Sequence, residues 1–155
     1  MVDQGARLEA ARALQRFLHR QTTNDDYESE YPILVGLFRK KRSQDPAIQS
    51  VYEFSWNWFD DFVSHKLEGR YELSHEMREV GERCLLFFHT SLEYEWRETR
   101  FIGSGVQPSN LITLGLATNH LTIGEQLSAH LDQPEGDASV WPFFRREDYE
   151  FAKAS

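Results

Sequence analysis

Between Pro46 and Trp96 the chain sets three of its four tryptophans, Trp56, Trp58 and Trp96, among Tyr52, Phe54, Phe59, Phe62, Phe87, Phe88 and Tyr94. A segment carrying that much aromatic surface must bury most of it. Two long helices with wide apolar faces would do so. Asp45-Pro46 supplies a helix start, because Asp is a good N-cap and proline is favoured at the first helical position. Ile48, Tyr52, Ser55, Phe59 and Phe62 then fall on one stripe, widened by Val51, Phe54, Trp58 and Val63. This predicts a helix from 46 to about 68. Gly69 to Leu73 reads as a turn, and Ser74 as the N-cap of a second helix reaching about residue 98. Met77, Val80, Cys84, Phe88 and Leu92 line one side of it, extended by Leu85 and Trp96. Gly81 among such bulky neighbours predicts a close helix crossing. A short connection makes the two helices an antiparallel pair.

The flanking segments are shorter. Residues 5–21 form an amphipathic pattern, with Leu8, Ala11, Leu14, Phe17 and Leu18 on one stripe and Arg12, Arg16 and Arg20 on another face. Thr22 to Asp26 reads as a polar linker. Asp25, Asp26, Glu28 and Glu30 precede the apolar Ile33 to Phe38, and Arg39-Lys40-Lys41-Arg42 follows. Acids first and bases last match a helix macrodipole. Beyond Arg100, Gly103, Gly105, Pro108, Gly115 and Gly124 break the periodicity. Leu111 to Ala117 reads as a short strand or as a helix begun at Ser109 or Asn110, the helix preferred, Leu121 to Leu131 as a short helix, Gln133 to Ala138 as a loop, Trp141-Pro142 as an anchored extended piece, and Arg146 to Ala154 as a last helix. The expected fold is mainly α. It is a compact bundle around the pair at 46–68 and 74–98, with an irregular C-terminal third, in a single domain spanning 1–155.

Charge and cysteine content exclude several function classes. Net charge is −8, which disfavours general nucleic-acid binding because phosphates repel such a surface. The charge is uneven: residues 43–100 hold twelve acids against six bases, whereas Arg7, Arg12, Arg16 and Arg20 outweigh Asp3 and Glu9 in residues 1–21. Cys84 is the only cysteine, so there is no internal disulfide and no Cys-rich zinc site. Its neighbours Leu85, Leu86, Phe87 and Phe88 mark it as a buried thiol rather than a nucleophile. Arg7, Glu9, Arg12 and Arg16 interrupt any apolar core of a signal peptide. The uncharged run from Phe101 to Gly124 is too polar for a membrane span. A cytoplasmic location without membrane association is the expectation.

Motifs for catalysis are weak. Five His–carboxylate pairs occur at helical spacing: Asp61 and Glu68 with His65, Glu72 and Glu79 with His75, and Glu93 with His89. Composition alone yields about four, and a di-iron site needs further Glu-x-x-His partners that the chain lacks. Gly103-Ser104-Gly105 is neither a nucleophile elbow nor a phosphate loop. Adjacent Asp60 and Asp61 diverge by about 100° on a helix and cannot share a proton. No catalytic residue, metal or cofactor is therefore expected.

What remains is a mixture of aromatics and acids. Aromatic side chains anchor protein interfaces, and acids at the rim steer a basic partner. Trp56, Asp60, Asp61, Glu93, Glu95 and Trp96 are the candidate binding residues, because the three tryptophans of this region cannot all lie deep in so small a bundle. The leading expectation is a small acidic protein-interaction or regulatory domain that binds a basic protein. An immunity or antitoxin-like inhibitor is one concrete form, and self-association is left open. The alternative from another class is a hydrolase or metal-dependent enzyme using His65, His75 or His89 with nearby carboxylates.

Overall fold

The computed structural model of the chain describes residues 1–32, 43–96 and 135–155. Among these residues it is mainly helical, with five α-helices and no strand. The basic tetrad at 39–42 and the segments at 111–117 and 121–131 lie outside the described residues.

Helix α1 spans Gln4–Leu18, started by Asp3, whose carboxylate accepts the Ala6 N–H at 3.0 Å. It stops short of residue 21. Arg20 adopts φ 61°, and the Gln21 N–H reaches back to the Arg16 carbonyl at 2.8 Å, a Schellman closure. That position is usually glycine, so an arginine there gives no warning in the sequence. Ala10, Ala11, Leu14, Phe17 and Leu18 are buried, whereas Leu8, expected on the same stripe, is exposed. Helix α2, Asn24–Glu30, begins inside the expected linker, where Thr23 and Asp26 cap each other reciprocally.

Helix α3 starts as expected at Pro46, with Asp45 accepting the Ala47 N–H at 3.1 Å. It ends at Ser55, followed by a 3-10 turn at Trp56–Trp58, and not near residue 68. The physical reason is competition from side chains. Ser55 Oγ donates to the Tyr52 carbonyl and Asn57 Nδ2 to the Phe54 carbonyl, and Asp60 Oδ1 then accepts the Phe62 N–H in an Asx turn. Helix α4, His75–Phe88, is capped by Ser74 as expected but ends ten residues before 98. Thr90 returns both its N–H and its hydroxyl to the Phe87 carbonyl. Beyond it the chain alternates, Tyr94 and Trp96 buried, Glu93 and Glu95 exposed, a period of two rather than of helix. A 3-10 turn at Ala138–Val140 leads to Trp141, joined to Pro142 by a cis peptide bond, and α5 covers Arg146–Ala154 as expected.

The chief partner of α4 is α1 and not α3, which corrects the expected central pair. Gly81 makes that crossing possible: a Cβ there would sit 2.8 Å from both terminal carbons of buried Leu18. Helices α2 and α3 pack on α1 as well, and α5 lies against α4.

The helices are joined by a buried ionic node that the amphipathic pattern hid. Arg7 is 0% exposed. Its Nε and Nη2 donate to the two oxygens of Asp45 at 2.6 and 3.2 Å, and Nη1 donates to the carbonyls of Thr90 and Leu92. The guanidinium lies 4.9 Å above the Phe87 ring. The Asp45 carboxylate therefore both starts α3 and neutralises a cation from α1. Elsewhere in the core the rings of Phe17 and Tyr27 stack, the latter donating its hydroxyl to Ser55 Oγ.

Candidate protein-binding surface

The segment that leaves the Trp56–Trp58 turn is a loop held from beneath by two buried polar residues. Asn24, at the start of α2, is fully buried and bonds to the loop three times. Its N–H donates to the His65 carbonyl at 2.9 Å, its Oδ1 accepts the His65 N–H at 2.7 Å, and its Nδ2 donates to the Asp60 carbonyl at 3.2 Å. His65 closes the loop on itself. Its Nε2 accepts the Asp60 N–H at 2.9 Å, and Nδ1 faces the Lys66 carbonyl at 3.0 Å. These partners fix the neutral tautomer with the proton on Nδ1. The ring stacks on Tyr71 at 3.6 Å, and buried Leu67 anchors the descending limb.

The apex of this clamped loop carries Phe62, which is 88% exposed, beside Val63. Helical periodicity in the sequence places both on the buried stripe of a helix extending to 68. Once the helix ends at Ser55, that periodicity no longer applies. Phe62 is thus a surface residue that sequence reasoning missed. The available signal was Asp60 two residues ahead of it, a turn former.

The loop is also acidic. Asp61 has its carboxyl raised above the usual carboxylate range, first by partial burial and then by the charges of Asp60 and Asp25. Three acids from α2 and the loop therefore share one region. Asp26, by contrast, is lowered by its hydrogen bonds to Thr23, so it is engaged in capping while Asp61 is crowded. Trp56 is half-buried at the edge, its ring 6.0 Å from that of Tyr52.

The other candidate residues are placed elsewhere. Glu93 pairs with the α-amino group of Met1 at 3.2 Å, and Glu95 holds Arg145 through two bonds of 2.6 and 2.7 Å. Trp96 is buried, its N–H donating to the Phe143 carbonyl and its ring against Phe144. It belongs to the core of the described residues, not to a surface, and Trp58 is likewise buried. Of the three tryptophans, Trp56 alone meets the expected edge placement.

The histidine pairs largely dissolve with the shortened helices. His75 and Glu79 do meet, at 3.5 Å on the exposed face of α4. Glu72 instead binds Arg20, and His65 is committed to the loop clamp. Among the described residues no three His, Cys, Asp or Glu side chains gather as a metal site. Cys84 is fully buried, and burial pushes its thiol far above the ordinary range. No helix among the described residues is long and apolar enough to cross a membrane. Comparison with protein families, curated proteins and solved structures yields no match to this chain.

Proposed function

We propose that the chain is a protein-interaction module that receives a basic partner on the loop at 59–64. The observation that carries this reading is Phe62, an aromatic side chain 88% exposed on a loop held by buried hydrogen bonds, with Asp25, Asp60 and Asp61 around its base. A preorganised aromatic loses little conformational freedom on docking, and acids at the rim attract a cationic surface before contact. An inhibitor of a basic protein, of the immunity or antitoxin kind, is a specific form of the same reading.

The test is affinity capture from the source cell extract at low salt, followed by kinetics on the retained protein. Asp60→Lys with Asp61→Lys is expected to slow association by about tenfold or more, with little change in complex lifetime. Phe62→Ala is expected to do the reverse, shortening the lifetime. Retention of no basic protein, or equal kinetics for both variants and the parent chain, would refute the reading.

The crowding of Asp61 has a consequence for stability. Its carboxyl titrates higher in the folded chain than in the unfolded one, so folding disfavours the ionised form. That penalty is present above the folded-state value and disappears as pH falls through it. Asp61→Asn is therefore expected to melt slightly higher than the parent at neutral pH, with the difference vanishing in acid. Thermal melts across pH 3–7 check this, and a lower melting temperature at pH 7 would contradict it.

A further inference from the structure

A second region of the molecule has the opposite electrostatic character. Between α4 and α5 lies a cleft of about 680 Å³, large enough for a small organic molecule. Leu86 and Val140 supply apolar lining, and the Tyr149 ring, 5.5 Å from buried Phe143, adds an aromatic surface. Arg78, Arg83 and Lys153 bring cations to it.

The two arginines are held by backbone carbonyls. Arg78 Nη1 donates to the Leu18 carbonyl at 3.0 Å, and Arg83 Nε donates to the Trp141 carbonyl at 3.1 Å. A carbonyl fixes a guanidinium in place without cancelling its charge. Arg78 Nη2 is itself buried with no acceptor among the described residues, so Arg78 brings its charge to the cleft wall rather than an open donor. The acids of the cleft are turned to histidines, Glu79 to His75 at 3.5 Å and Glu82 to His19 at 3.7 Å. Arg146, which also lines the cleft, is already engaged by Asp137 and Ser139. The cleft's cations without a carboxylate partner among the described residues are therefore Arg78, Arg83 and Lys153, the last lying 5.6 Å over the Tyr149 ring.

We infer that this cleft binds an organic phosphate: a phosphomonoester whose charged group meets Arg78, Arg83 and Lys153 and whose apolar body lies on Leu86, Val140 and Tyr149. The Arg83 guanidinium, fixed through Nε, keeps its terminal fork for a phosphate, and the charges of Arg78 and of the flexible Lys153 ammonium add to it. The apolar lining distinguishes such a ligand from a bare ion.

The experiment is a titration of the isotope-labelled full chain, followed by amide resonances, with phenyl phosphate, inorganic phosphate and benzyl alcohol as separate probes. Phenyl phosphate is expected to shift resonances of α4 and α5 and to bind about tenfold or more tightly than either of the others. Arg83→Gln with Lys153→Gln is expected to weaken phenyl phosphate by about tenfold or more. Glu79→Gln, which removes a negative charge from the rim, is expected to tighten it, a gain that a damaged fold cannot imitate. No shift at millimolar phenyl phosphate, equal affinity for inorganic phosphate, or a Glu79→Gln variant that binds no better would each overturn the inference.

Discussion

Arg7→Ala is expected to lower the unfolding free energy by about 3–5 kcal/mol, and Asp45→Ala by a similar amount. Each leaves its partner as an isolated charge, because Arg7 and Asp45 side chains are 0% and 1% exposed. Asp45→Ala also removes the α3 cap and the acceptor of the Asp3 N–H. Arg7→Ala strands the carbonyls of Thr90 and Leu92, which the guanidinium serves. The double variant Arg7→Leu with Asp45→Asn should lose much less than the two alanine losses added together, since no charge remains buried. Urea unfolding at neutral pH measures all three. A single-variant loss below about 1 kcal/mol would show the node to be peripheral.

Trp141→Ala is the other large effect, a loss of about 3–5 kcal/mol. The indole is fully buried, its ring 4.9 Å from Phe54, and its N–H donates to the Tyr94 hydroxyl at 3.0 Å. Its carbonyl receives Arg83 from α4. One residue thus ties the C-terminal segment to α3, to α4 and to the extended strip after it. Trp141→Phe should lose clearly less, because a ring remains while the indole donor to Tyr94 is gone. Denaturant midpoints of the two variants against the parent decide this. Equal losses would assign the effect to the hydrogen bond and not to packing.

Several local features were legible in the sequence because they depend on neighbouring residues alone. Asp45-Pro46 and Ser74 cap the helices they announce, Gly81 marks a close crossing, Cys84 is buried, and the last helix falls at Arg146–Ala154. Helix ends were not legible. Apolar residues at helical spacing continue past Ser55 and Phe88, but Asn57, Asp60 and Thr90 divert the backbone with their own hydrogen bonds. The alternation from Leu92 to Trp96 was present in the sequence and was masked by extending the helix through it. Nothing local marks Arg7 for burial. Its partner lies 38 residues away, and only the tertiary structure joins them. For the candidate surface, Asp60 and Asp61 were legible from charge, whereas Phe62 required knowing where the helix stops.

The Asn24–His65 clamp joins positions 41 residues apart in the chain. The Phe62 surface is for that reason discontinuous: its visible residues are contiguous, but their arrangement is dictated by a helix start far upstream. A synthetic peptide copying residues 59–68 carries the same side chains without Asn24 and has nothing to impose their geometry. A partner docking there, as proposed, would distinguish a chain with α2 seated from one in which α2 has come away, and occupancy of the loop would then report whether α2 is in place.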